Sequence, residues 1–309
     1  MKTYLSIIIP VFNEEESLQP LYQQLTAVLK ELKMGYEIIF IDDGSRDSSY
    51  QILEKLHLQD KKVRGIKFRK NFGQSAALDA GFRAAEGEII VALDADMQND
   101  PADIPLLLKE MEKGYDVVSG WRYDRKDNLS KKLASLMARF LRNFIAKDKV
   151  HDSGCTLKAY KKECFQNLRL YGEMHRYIPL LLMWQGFKIG EVKVTHHQRK
   201  LGKTKYGVGR IFRGLLDLVA IKFFADYSVK PLHFFAKMAL VNFLLSGLIV
   251  AYYISRFQLS FVVGPLLLAA MMFFLIGVVL FCFGFLAEIQ IRVLFSRRDH
   301  KNYFVEKVL

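Results

Sequence analysis

Through the first 120 positions, short uninterrupted apolar runs alternate with stretches whose apolar residues recur every three or four places. The runs fit strands buried on both faces and the three-to-four repeat fits helices with one buried stripe, so the alternation predicts a parallel sheet covered by helices. The expected strands are Leu5–Phe12, Tyr36–Ile41, Val63–Phe68, Glu88–Leu93 and Asp116–Ser119. Between the first two, Leu18, Leu21, Leu25, Val28, Leu29 and Leu32 share a helical face, with Asn13 placed to cap its start. Gly73–Ala85 and Ile104–Lys113 are expected as crossover helices, the second opened by Pro101 and Asp103. Beyond Trp121 the pattern predicts a polar loop, a basic amphipathic helix over Ser130–Ala146 and a strand over Cys155–Tyr160. A helix over Glu173–Trp184 and a strand over Lys188–His196 follow.

The longest apolar stretches come later, at Phe234–Ile254 and Phe261–Ala287. Each exceeds the roughly 20 residues needed to cross a bilayer core of about 30 Å as a helix. Core helices of soluble proteins keep a polar face, and Leu266–Phe285 has none. Two spans are therefore expected, at about 233–255 and 261–288, joined by the short linker Ser255–Ser260 into a hairpin. Lys230, Lys237, Arg292, Arg297, Arg298 and Lys301 lie on the flanks, while the linker holds only Arg256, which places both flanks in the cytoplasm. Gly209–Tyr227 is amphipathic and precedes the first span, as an interfacial helix would.

Composition sharpens this picture. Of 309 residues 51% are hydrophobic, and the excess over an ordinary soluble chain sits in the two spans. The N-terminal run does not read as a signal peptide, since it contains Pro10 and leads into Glu14, Glu15 and Glu16. Cys155, Cys164 and Cys282 have no metal-like spacing and form no disulfide framework. The net charge of +13 asks for an anionic partner, and from His196 to Arg213 there is no acid but six Lys or Arg residues. Such a cluster beside a membrane span favours anionic headgroups or phosphate ligands over nucleic acid, for which no fold signature is present.

Candidate chemistry lies just past the strands, where parallel sheets bind ligands. The second strand ends in Asp42-Asp43-Gly44-Ser45 and the fourth in Asp94-Ala95-Asp96-Met97-Gln98. Acids there repel phosphate directly but can meet it through Mg²⁺ or Mn²⁺, which commonly sits between one or two carboxylates and substrate phosphates. Asp94, Asp96 and Gln98 are the candidate metal ligands.

These residues, with Pro10-Val11-Phe12-Asn13-Glu14, Asn71-Phe72-Gly73-Gln74, Asp152-Ser153-Gly154-Cys155 and Arg199-Lys200-Leu201-Gly202-Lys203-Thr204-Lys205-Tyr206-Gly207, resemble the family-two glycosyltransferases with a GT-A-type fold. Their order and spacing are most similar to the polyprenyl-phosphate hexosyltransferases, which include dolichol-phosphate mannose synthases and undecaprenyl-phosphate glycosyltransferases of the cell envelope. The resemblance spans essentially the whole chain. It implies an α/β, Rossmann-like, mostly parallel GT-A domain over 1–207, cytosolic, then a juxtamembrane amphipathic helix over 208–230, a transmembrane hairpin over 231–295 and a cytosolic tail over 296–309. It assigns Pro10, Phe12, Glu14 and Asp42 to the nucleoside pocket, Asp94, Asp96 and Gln98 to diphosphate and metal, and Arg122, Arg199 and Lys205 to phosphate groups. Phe12 stands where the family usually has Tyr, which would remove a hydroxyl contact.

The implied reaction is an inverting displacement of a nucleoside diphosphate, UDP in preference to GDP, from a hexose by a polyprenyl phosphate at the cytoplasmic membrane face. Asp152 is the nominee for general base, with sugar-hydroxyl binding or acceptor positioning as its rival roles, because a phosphate with a second pKa of about 6 is already largely ionised at pH 7. Asp96, Arg199 and Lys205 complete the catalytic set. Two other readings stand beside this one. An enzyme extending a glycolipid or polysaccharide would normally carry more spans and a Q-x-x-R-W motif, absent here, and a silent scaffold would not need Asp94, Asp96, Arg199 and Lys205 intact. His196 and His197 are adjacent on a strand and so point apart, which favours structural or ligand-contact roles over a metal pair. For His175, helix packing and ligand contact weigh equally, and Glu288 is near enough to the interface to need no special function. Gly264, Ala269, Ala270 and Gly277 offer small-residue surfaces on which the hairpin could form a homo-oligomer.

Overall fold

The computed structural model describes residues 3–123, 150–166, 168–170, 172–197, 227, 231–257, 264–296 and 305–308. They fall into two units, Met1–Val219 with Lys301–Leu309, and Ala220–His300. The expected helix over Ser130–Ala146 lies outside the described residues, as does the interfacial helix apart from Tyr227.

The first unit opens with β1 (Leu5–Val11), α1 (Glu15–Glu31), β2 (Tyr36–Asp42), α2 (Ser49–Gln59), β3 (Val63–Phe68), α3 (Gln74–Ala84) and β4 (Ile89–Ala92). It continues through α4 (Ile104–Met111), β5 (Val117–Trp121), β6 (Lys158–Lys161), α5 (Ile178–Trp184) and β7 (Ile189–Lys193), and β8 (Val305–Val308) completes it. The strands form one sheet in the order β7-β5-β6-β4-β1-β2-β3-β8. Its centre, β4-β1-β2-β3, is parallel, as is the β5–β7 pair, while β6 runs antiparallel to both β4 and β5 and β8 antiparallel to β3.

Both faces of the centre are buried, which is why β1 and β2 read as unbroken apolar runs. Leu5, Ile7, Ile9 and Val11 face α1 and α2 through Leu18, Leu21, Leu25, Leu53 and Leu56. Ile8, Ile39 and Ile41 face the other way, onto Ala77, Leu78 and Phe82 of α3. That helix lies so close that a Cβ on Gly81 would come within 2.4 Å of Ile8 Cγ2 and 2.8 Å of Ile41 Cδ1.

Three elements differ from the pattern's expectation. The helix expected over Glu173–Trp184 is a 3₁₀ turn at Met174–Tyr177 followed by α5, because Pro179 lacks the N–H that an unbroken helix would donate to the His175 carbonyl, and the chain leaves helical geometry at Tyr177, with φ −112° and ψ 9°. The strand expected from Cys155 begins only at Lys158, since Cys155–Leu157 is irregular chain. Within the stretch expected as a tail, Val305–Val308 adds an edge strand by pairing Val308 with Ile66 and Lys307 with Lys67. Lys307 there reaches Glu54 of α2 at 2.7 Å.

The second unit is a helical pair, α6 (Pro231–Phe257) and α7 (Pro265–Ser296). Windows within them, Pro231–Arg256 and Pro265–Gln290, have mean hydropathies of 2.0 and 2.9 and only 11% of each is buried, as lipid-facing spans require. The helices meet over small residues. A Cβ on Gly277 would lie 2.6 Å from the Phe243 ring, one on Gly284 would lie 2.7 Å from Phe235 Cβ, and Ser246 Oγ donates to Ala270 O at 2.8 Å. Ala270 and Gly277, read in the sequence as surfaces for a second copy, are thus accounted for by packing inside one hairpin.

Gly81→Val tests the closeness of α3 to the sheet. A branched side chain there has to displace Ile8 and Ile41, and a loss on the order of 3 kcal/mol is expected from overpacking. The readout is a lowered thermal midpoint of the detergent-solubilised protein.

Candidate active site

The loops leaving β1, β2 and β3 are sewn together by their own polar groups. Asn13, with φ of 55°, receives the Arg46 N–H on Oδ1 at 2.8 Å and donates its own N–H to Ser45 Oγ at 3.0 Å. Glu14 N–H donates to Ser49 Oγ at 2.9 Å, and Glu15 Oε2 accepts from Ser48 N at 2.9 Å. Pro10 and Phe12 flank this junction half-buried, and Glu14, at the start of α1, accepts from Ser17 Oγ at 3.2 Å.

Asp42 and Asp43 end β2 with different tasks. Asp43 accepts the N–H groups of Phe72 and Gly73 at 2.6 and 2.9 Å, tying the β2 loop to the start of α3. Burial pushes its carboxyl up to about 6 against the pull of those two donors, so at neutral pH it is the ionised acceptor they need. Gly44, at φ +70°, makes the approach possible, since a Cβ there would fall 2.4 Å from the Lys70 carbonyl carbon. Asp42 is fully buried and accepts from Ser45 N at 3.0 Å through Oδ1, while Oδ2 has no hydrogen-bond partner among the described residues. Burial raises its pKa above the usual carboxylate value. A buried acceptor of this kind fits a ligand that brings an N–H or O–H.

Past β4, Asp94 Oδ1 accepts from Gln74 Nε2 at 2.8 Å. Burial and the neighbouring Asp96 charge raise the Asp94 pKa, opposed by a hydrogen bond with Thr156 and by Lys158 and Arg122. Asp96 Oδ1 accepts from Gln98 N at 3.1 Å across Met97, whose φ is 58°. Gln98 contributes here through its backbone, its carbonyl accepting the His197 N–H at 2.9 Å. Among the described residues no three His, Cys, Asp or Glu side chains converge as a metal cage. Two adjacent carboxylates, one of them held against its own charge by burial, nonetheless suit Mg²⁺ or Mn²⁺ in the mode that takes its remaining ligands from substrate phosphate and water.

Arg122, just after β5, meets Asp152 as a two-pronged pair, Nε to Oδ2 at 2.7 Å and Nη2 to Oδ1 at 2.9 Å. Gly154 leaves room for it, because a Cβ there would lie 3.2 Å from the guanidinium. The loop carrying Asp152 is anchored from below by Lys158, whose ammonium, in a side chain only 3% exposed, donates to the carbonyls of Ser153 and Cys155. Burial lowers the Lys158 pKa, with the negative charge of Asp152 and Asp94 opposing. Pro10, Gln74, Asp94, Thr156, Lys158 and His175 line one small pocket of about 20 Å³, room for about one water.

The structure thus brings Asp94, Asp96, Arg122 and Asp152 into one electrostatic neighbourhood, with Pro10, Phe12, Glu14 and Asp42 on the first two strand ends. Arg199 and Lys205 lie outside the described residues. His196 bridges to Asn99 and His197 Nε2 meets Asp100 at 3.0 Å, in keeping with structural roles. His175 Nδ1 lies 3.0 Å from Ser75 Oγ, which joins the 3₁₀ turn to α3. Gln74 enters the sequence reading only as the end of the Asn71–Gln74 motif, with no role of its own, and Thr156 and Lys158 do not enter it. For Lys158 the available signal is a charged residue among Leu157, Ala159 and Tyr160 of the stretch expected as a strand.

Residues 6–169 match the family model described as glycosyl transferase family 2. The chain is 37% identical to the dodecaprenyl-phosphate galacturonate synthase of Rhizobium johnstonii, over 98% of its own length and 92% of the relative's. It is 32% identical to the undecaprenyl-phosphate 4-deoxy-4-formamido-L-arabinose transferase of Proteus mirabilis, over 99% and 94%. The Yersinia pestis protein of the same name is 34% identical, over 99% and 93%. Among solved structures, glucosyl-3-phosphoglycerate synthase from Mycobacterium tuberculosis, in complex with Mn²⁺, UDP and glucosyl-3-phosphoglycerate, superposes with a TM-score of 0.54 at 18% identity. The match covers 71% of this chain and 80% of that one and identifies the sheet as the expected GT-A type.

Asp43→Asn leaves one backbone N–H facing an amide N–H₂ instead of an oxygen. The unsatisfied donor is expected to cost about 1–3 kcal/mol, seen as a lower thermal midpoint of the solubilised protein.

Proposed function

Because this chain belongs to glycosyl transferase family 2, and within it to the polyprenyl-phosphate glycosyltransferases, we propose that it transfers one sugar from a nucleoside diphosphate donor to a polyprenyl phosphate with inversion at the anomeric carbon. A UDP-sugar is the favoured donor. The observation that carries this reading is the charge arrangement, two carboxylates at Asp94 and Asp96 within the field of the Arg122–Asp152 pair. Such a site presents acids for a metal-bound diphosphate and a guanidinium that, held along its Nε edge by Asp152, can turn its other N–H groups to an anionic acceptor.

On this reading Pro10 and Phe12 flank the base, Glu14 takes ribose hydroxyls, and Asp42 Oδ2, which has no hydrogen-bond partner among the described residues, accepts an N–H or O–H of the nucleoside. Asp94 and Asp96, with Gln98 beside them, would hold a Mg²⁺ or Mn²⁺ that offsets charge building on the leaving diphosphate. Arg122, with Arg199 and Lys205 from the basic stretch, meets phosphate oxygens. An oxygen of the lipid phosphate bonds to the anomeric carbon as the bond from that carbon to the diphosphate breaks. The products are a polyprenyl phosphosugar and a nucleoside diphosphate. A phosphate monoester largely ionised near neutral pH can attack without giving up a proton. Asp152 therefore serves best by holding the Arg122 fork in the direction of the reacting groups, rather than as a base.

The two apolar helices and the membrane-linked relatives make this a membrane protein. The chain leaves the first unit before α6 and rejoins its sheet at β8, so the helical pair has both ends attached to the same unit. That connectivity supports an even number of crossings. Together with the basic flanks it supports a cytoplasmic face for the catalytic domain, here taken as residues 1–207.

The test is a screen of radiolabelled nucleotide sugars against short polyprenyl phosphates in detergent, with Mn²⁺ or Mg²⁺. Asp94→Asn and Asp96→Asn are each expected to lower kcat by about 10²-fold or more, and chelation by EDTA to do the same until metal is restored. Product that requires a glycan acceptor instead of a lipid phosphate overturns the reading.

A further inference from the structure

Glu191 lies in β7 opposite Ser119 of β5. Its Oε1 accepts the backbone N–H of His151 at 2.8 Å, and its Oε2 meets Nδ1 of the same residue at 2.7 Å. The imidazole stacks on Trp121, ring centroids 4.5 Å apart and planes 21° from parallel. Lys193, one strand repeat beyond Glu191, sits 5.7 Å from the Trp121 ring. Side chains two apart on a strand share a face, so Glu191, Lys193 and Trp121 form one platform with His151 on it. His151 directly precedes Asp152, and Trp121 directly precedes Arg122. Each member of the Arg122–Asp152 pair is therefore fixed one residue upstream by the same platform.

An exposed Glu–His contact that merely decorated the surface would contribute little, about 0–1 kcal/mol, and would not need the backbone. Here both carboxylate oxygens are spent on one residue, one of them on its main-chain N–H, which sets the direction in which the chain enters Asp152. We propose that Glu191 is a positioning residue of the transfer reaction, holding His151 so that Asp152 meets Arg122 in the two-pronged geometry. The proposal rests on the reading that Arg122 and Asp152 serve sugar transfer. It extends the working parts of the site to β7.

A double-mutant cycle on the full-length protein in detergent tests it, with Glu191→Ala and Glu191→Gln made in the wild-type and Asp152→Ala backgrounds. In the wild-type background Glu191→Ala is expected to lower kcat by about 10-fold or more, the scale of a small misplacement of a reacting group, with donor KM and thermal midpoint little changed. Glu191→Gln keeps one acceptor oxygen for the His151 N–H and is expected to recover part of the loss. In the Asp152→Ala background neither change should lower kcat further. Equal losses in both backgrounds, or a loss matched by a fall in thermal midpoint, overturn the proposal. It is also overturned if His151→Ala costs as much as Asp152→Ala and adds to it, since the imidazole would then act in its own right. A wild-type protein that uses only another acceptor overturns the proposed function instead, and the same cycle run on that acceptor still decides the role of Glu191.

Discussion

A carboxylate removed from water has to find donors, and at the strand ends of this protein the donors come from elsewhere in the chain. Asp43 takes two N–H groups from the start of α3, Asp94 takes the Gln74 amide, and Asp103 takes the Thr195 N–H at 2.6 Å. Asp152 takes a guanidinium from beyond β5. Each bond joins segments that lie apart in the chain, so satisfying the acids and fixing those segments are the same act. Loosening one segment would leave a buried carboxylate on its neighbour without its donor.

The centre of the fold was legible because burial on both faces writes itself as unbroken apolar runs. Leu5 to Val11 and Tyr36 to Asp42 were found within a residue, and α1 announced itself by the spacing of its leucines. Legibility fell where tertiary contacts outweigh local pattern. Cys155–Leu157 looks like strand but bends so that Lys158 can reach the Ser153 and Cys155 carbonyls, and Pro179 divides what looks like one helix. Val305–Val308 is four residues with two charges between two valines, too short to carry a period, and it becomes a strand only because β3 offers an edge.

The candidate site divides the same way. Acids at strand ends and the Arg122 position follow from order along the chain. Their partners do not, because Gln74 meets Asp94 across 20 positions and Glu191 meets His151 across 40. Such pairings are set by which strands become neighbours, and the insertion of β6 between β4 and β5 has no local signature. The pairing of Arg122 with Asp152 also changes the meaning of residues that the sequence could only treat one at a time. A guanidinium expected for phosphate and a carboxylate expected as a base are found as a single unit.

The returning strand β8 carries a consequence for how the molecule is made. Its four residues follow both long helices in the chain, and they cover the β3 edge, which otherwise presents unpaired N–H and C=O groups. A ribosome releases them only after both long apolar helices have emerged. The sheet therefore stays open on one side until the whole helical pair has been synthesised. Completion of the catalytic unit is in this sense conditional on synthesis of the whole helical pair.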